Sequence, residues 1–236
     1  SNVVVGYDAM RNSHLGCDKN VVIGRGAFYN GEVDEAVFIG FNAGGDGTTT
    51  TAANGAVGIG KSSLSNLTSG AGNTAVGFTS GQDVTTGQNN TLIGYEAGNT
   101  GVGDIVGGQA NTIIGSEASA GNASAINRTA IGRTTVAVAD NSVTLGNANV
   151  TAIYAAQDRG ATIFAAGLVE GSSMTLKENI GEIESPLDKL TKLRGVEFDY
   201  KSTKERSIGM IAEEVNEVFP ELVNKNEDGE VTAMSY

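Results

Sequence analysis

One short pattern recurs nine times along the first two thirds of the chain: a β-branched residue, a variable residue, an aliphatic residue, then glycine. The copies end at Gly6, Gly24, Gly40, Gly60, Gly77, Gly94, Gly115, Gly132 and Gly146. Before each glycine stands an aliphatic side chain, from Val5 and Ile23 through Ile93 to Leu145, and two positions earlier stands Val or Thr. Alternation with period two and β-branched side chains predicts a short strand with one face buried; the aliphatic and β-branched positions are assigned to that buried face. The third residue after glycine is small in the first eight copies, from Ala9 to Thr135, so neighbouring coils or chains approach closely there. Each copy is then one coil of a β-solenoid whose stacked rungs bury a thin aliphatic seam. Spacings run from 14 to 21 residues, and the differences fall in polar inserts such as residues 44–54 and 99–109. Such inserts project as loops, where a binding surface is expected.

Beyond the ninth copy the pattern changes. All but Gly181, Gly195, Gly209 and Gly229 of the 34 glycines precede residue 172, and both prolines, Pro186 and Pro220, follow it. The expected fold is mainly β: a β-solenoid or β-roll shaft over residues 1–150, a neck over 151–171, and a small α+β domain over 172–236. Within that domain, Ser185, Pro186 and Asp188 predict a helix start, with Leu187, Leu190 and Leu193 on one face and Gly195 as its stop. Val196 to Tyr200 alternates as a half-buried strand, and Ile208 to Ile211 predicts another. A helix through Ala212 and Val215 follows, ending at Pro220. The chain opens on a repeat strand and stops within this second pattern, so it is expected to be a piece of something longer.

Composition supports a seam rather than a bulky core, because hydrophobic residues make up 39%, aromatics 6%, and Trp is absent. A net charge of −12 argues against a nucleic-acid partner, and the lack of a long apolar run argues against membrane insertion. Cys17 stands alone, which excludes an intrachain disulfide framework, and His14 stands alone, which excludes a His-clustered metal site within one chain. No cofactor is expected. Residues 55–62, Gly-Ala-Val-Gly-Ile-Gly-Lys-Ser, match the phosphate-binding loop expression. Their context opposes that function, since Gly60 is in register with the repeat glycines and no βαβ pattern surrounds it.

Two family resemblances follow from these motifs. The phrases Asn73-Thr-Ala-Val-Gly77-Phe78 and Asn90-Thr-Leu-Ile-Gly94-Tyr95 resemble the repeats of trimeric autotransporter adhesin heads, which recur in phage tail fibres. That likeness covers residues 2–149 and implies a homotrimer of β-rolls around a three-fold axis. Further on, Ser172-Ser-Met-Thr-Leu-Lys177, Leu193-Arg-Gly-Val-Glu-Phe-Asp-Tyr200, Ile208-Gly-Met-Ile-Ala-Glu-Glu-Val215 and Phe219-Pro-Glu-Leu-Val223 are similar to the endosialidase-type intramolecular chaperone domain. That resemblance implies trimerisation of a fibre, then self-cleavage by a serine–lysine dyad, with Ser172 as nucleophile and Lys177 as base. Where the family has Asp after the serine, this chain has Ser173. A lysine takes the serine proton only when burial lowers its own pKa by several units from about 10.4.

The combined expectation is a structural tail-fibre or spike protein of a virion, serving host attachment through a glycan or protein receptor. Its chaperone domain would trimerise first and set the register of near-identical coils. Its only expected chemistry is single-turnover self-cleavage beside Ser172. The rivals are a bacterial adhesin of the trimeric autotransporter class, which needs a membrane anchor, and a fibre-borne polysaccharide depolymerase, which needs paired carboxylates that the sequence does not position.

Overall fold

The computed structural model of the chain describes residues 1–13, 16–45, 49–101, 103–155, 173–201, 204–226 and 228–234. His14 and most of the expected neck lie outside them. The chain divides into two compact units, Ser1–Thr162 and Ile163–Tyr236.

The first unit is a β-solenoid. Every repeat forms a strand, giving β1 (Val3–Val5), β3 (Val21–Ile23), β5 (Val37–Ile39), β6 (Val57–Ile59), β7 (Thr74–Val76), β8 (Thr91–Ile93), β9 (Thr112–Ile114), β10 (Arg128–Ile131) and β11 (Ser142–Leu145). These nine stack in chain order as one parallel sheet. Pairing keeps the repeat in register, for example Thr74 with Thr91 and Val76 with Ile93. The short strands β2 (Asn12–Ser13) and β4 (Asn30–Gly31) pair elsewhere in the first coils.

The face turned inward is the opposite of the one expected. At β3 and β5 to β10 the variable middle residue is buried, whereas the flanking β-branched and aliphatic residues remain partly or fully accessible. Val22, Phe38, Ala75, Leu92, Ile113 and Ala130 point into the coil at zero exposure, while Ile93 is 39% and Ile131 41% exposed. Alternation fixes that two faces exist; it does not say which one the coil closes around. The small residues after glycine supply the rest of the interior, as Ala27, Ala43, Ser63, Ser80, Ala97, Ala118 and Thr135 are all at zero exposure. Phe28 and Phe38 stack with ring centres 5.4 Å apart and fill the widest coils. Each fully buried Leu or Ile contributes about 1.5–3 kcal/mol.

Close stacking explains the glycines. A Cβ on Gly77 would sit 2.1 Å from the Gly94 carbonyl oxygen, and its φ of +145° is one that other residues avoid. The residue two further on is left-handed in coil after coil, including Ser62, Thr79, Glu96, Glu117 and Thr134. That recurrent turn costs about 1 kcal/mol or more per non-glycine residue.

A row of asparagines ties the coils together. The position four before each repeat glycine is Asn in five copies: Asn2, Asn20, Asn73, Asn90 and Asn111. Asn90 donates through Nδ2 to the Gly108 carbonyl at 2.8 Å and to Asn73 Oδ1 at 3.0 Å. Its Oδ1 accepts the Asn111 backbone N–H at 3.0 Å and Asn111 Nδ2 at 2.9 Å. The row ends at Arg128, whose backbone N–H bonds Asn111 Oδ1 at 2.9 Å and whose side chain pairs with Asp140 at 2.6 Å. Buried amides are thereby satisfied by the neighbouring rung, so each coil depends on the next.

The second unit is small and mixed. It holds α1 (Pro186–Leu190), β12 (Val196–Asp199), β13 (Arg206–Gly209), α2 (Ala212–Val218), β14 (Val223–Lys225) and β15 (Val231–Met234). β12 and β13 form one antiparallel hairpin and β14 and β15 another. The strand at Val196 and the helix stopping before Pro220 agree with expectation. Helix α1 does not: it spans five residues, Ser185 is left-handed and makes no side-chain cap, and Leu187 is 75% exposed. With five residues, no cap and no buried side chain, it gains little from propensity and little from packing.

Candidate functional site

Three features could carry function. The first is the outer face of the solenoid sheet. Its β-branched and aliphatic residues, Val21 and Ile23 through Thr129 and Ile131, form two parallel rows across consecutive rungs. An apolar strip repeated every rung is a large surface for one chain to leave in water. Beside it, at the residue after seven of the nine repeat glycines, runs a column of exposed rings and cations. Lys61 Nζ lies 5.1 Å from the Phe78 ring centre, Arg25 lies 5.6 Å from Phe41, and Phe78 stacks on Tyr95 at 5.3 Å. Lys61 therefore takes an aromatic partner, and the residues after Gly60 form turns rather than the helix a phosphate-binding loop requires.

The second is the segment predicted to hold the dyad. Ser172 lies outside the described residues. Lys177 is exposed and closes a short 3-10 turn, Met174–Leu176, through its N–H to the Met174 carbonyl at 3.2 Å. Ser173 caps that turn, its Oγ accepting the Thr175 N–H at 3.3 Å. Lys177 is thus on the surface of the single chain.

The third was missed in the sequence. Asp83 and Asp104 are 21 residues apart in sequence, yet the fold brings them near enough for one carboxylate to act on the other. Burial, and then the charge of Asp104, pushes the Asp83 carboxyl above its ordinary range, against the opposing amide of Asn66. Asp104 also accepts the N–H groups of Thr100 at 2.5 Å and Gly101 at 2.8 Å, which orders the polar insert. The sequence did not position this pair, which the stacking of coils brings together.

In the second unit, Arg194 grips Glu214 with two bonds of 2.8 and 2.6 Å and holds its carboxyl below the usual range. Among the described residues no group of three or more His, Cys, Asp or Glu is placed to bind a metal ion, and no helix is long and apolar enough to cross a membrane.

Residues 172–224 match the family model described as chaperone of endosialidase. No curated protein and no solved structure matches the chain.

Proposed function

We propose that the chain is the shaft and assembly domain of a trimeric fibre, of the kind that projects from a virion and contacts a host surface. The observation that carries this reading is the row of accessible Val, Ile and Leu side chains, one before each repeat glycine, beside a row of Val and Thr on the outer face of the solenoid. Short runs such as Val-Val-Ile and Val-Phe-Ile, apolar at every position, belong to sheets covered on both faces. One cover is the chain's own interior, and two further copies around a three-fold axis supply the other. The match to the chaperone of endosialidase agrees with such a trimer. Domain limits at 150 and 172 are part of the proposal, as is a receptor contact on the polar inserts.

Self-cleavage belongs to the same proposal. Once assembly buries the Lys177 amine, Ser172 Oγ gives it a proton and attacks the carbonyl carbon of a peptide bond beside it. The C–N bond breaks as Lys177 returns the proton to the leaving amine, and water then hydrolyses the ester left on Ser172. Exposure of Lys177 in the single chain supports this order of events, since it makes cutting dependent on the trimer.

Two variants test the reading. Ile93→Asp places three carboxylates on the axis side of one rung, so the chain keeps its β spectrum and loses its assembled mass. An Ile93→Asp chain that still assembles at micromolar concentration removes the outer face from the account. For the dyad, intact mass of the assembled protein is compared with that of its Ser172→Ala and Lys177→Ala variants. The cut is expected in the first and absent in both variants, and identical masses in all three exclude the dyad.

A further inference from the structure

Among the described residues of the C-terminal unit, Val215 is the one buried hydrophobic side chain. Two surfaces of opposite character remain open on the same unit. One is a groove of about 800 Å³ lined by Ile183, Leu190, Leu193, Phe219, Leu222 and Met234. Its rim is acidic, with Glu182, Glu184 and Glu221 against Lys189, and Lys189 is drawn to the Phe219 ring at 5.7 Å. The other is the β12–β13 hairpin. Ile208 projects from its outer face at 78% exposure, Tyr200 is 52% exposed, and exposed Lys201 and Lys204 stand beside the turn.

We propose that the groove of one copy receives the β12–β13 hairpin of a second copy. Ile208 enters the apolar floor, and Lys201 and Lys204 face the carboxylates of the rim. This rests on the trimer reading above and adds to it the contact that joins the C-terminal units. The occupant is a second copy because knob and groove sit on one unit: every chain covers one neighbour and is covered by the other. A contact between two different surfaces is heterologous, and it leaves no open end only when it closes into a ring. Charge complementarity then fixes which surface meets which and disfavours groove against groove, where the rim carboxylates would oppose one another.

Met210 and Met234 line the groove and report its occupancy through their oxidation by hydrogen peroxide, read by mass spectrometry on the full chain. In the assembled wild type both oxidise slowly. Reversing the knob (Lys201→Glu with Lys204→Glu) or the rim (Glu182→Lys with Glu184→Lys) is expected to speed oxidation at least about tenfold, and combining the four substitutions restores protection. An assembled wild type whose methionines ignore both reversals overturns the groove contact and leaves the trimer standing. Protection that persists on dilution to single chains assigns the groove to a segment of the same chain and also overturns it. A wild type that never assembles removes the trimer reading, and this inference with it.

Discussion

Replacing Asn90 by Ala tests whether the asparagine row holds the solenoid together. The side chain makes four hydrogen bonds, two donated to Gly108 and Asn73 and two accepted from Asn111, all in a buried setting. Asn73 Oδ1 keeps the Asn90 backbone N–H at 3.0 Å, and Asn111 Nδ2 keeps the Ala125 carbonyl at 2.8 Å. The Asn111 backbone N–H and the Gly108 carbonyl lose the Asn90 side chain. At about 1–3 kcal/mol for each buried group left unsatisfied, the variant loses about 2–6 kcal/mol per chain. For a chain of this size that lowers Tm by on the order of 5–15 °C, measured by far-ultraviolet circular dichroism at fixed protein concentration. Gln88→Ala, which removes one exposed bond to Gln109, is the control and is expected within about 0.5 kcal/mol of wild type. Equal melting of the two variants would refute the row as a structural element.

Three further outcomes follow from the same geometry. Gly77→Ala puts a Cβ into the Gly94 carbonyl at a φ of +145°, so the soluble folded yield should collapse, whereas Gly55→Ala, which meets nothing within 4 Å, should lose far less. Asp83 has a raised carboxyl pKa, so its contribution is fully present below the unfolded carboxyl range and is lost as pH rises through the folded value. Asp83→Asn should therefore raise Tm at pH 7 and converge with wild type in acid; a loss of stability at pH 7 would contradict the assignment. Asp140 has the opposite sign, because the Ile126 N–H and then Arg128 depress its pKa. Its contribution is present above the unfolded range and lost as pH falls through the folded value, so Asp140→Asn should flatten the acid limb of the Tm profile.

Much of the solenoid was legible because strand, glycine and small residue recur at fixed offsets. All nine predicted strands form and pair in register. The inward face was not legible: Val21-Val22-Ile23 is apolar at every position, and only the closing of the coil decides that Val22 turns in. The asparagine row was present in the sequence at a constant offset and lacked only the recognition that a buried amide must bond to the rung above. Asp83 and Asp104 were out of reach, since they lie six residues after Gly77 and ten after Gly94, and the insert that shifts the offset has no pattern. In the second unit, Pro220 marked the end of α2 correctly. Ser185-Pro186 suggested a longer helix than forms, because five residues with no buried side chain gain too little from propensity.

The central claim is assembly of three chains through the outer face of the solenoid, and the mass of the intact protein under native conditions tests it most directly. With a chain of 24.0 kDa, three copies give about 72 kDa. The account predicts that mass at micromolar concentration, and a species of 24.0 kDa that persists as concentration rises would contradict it.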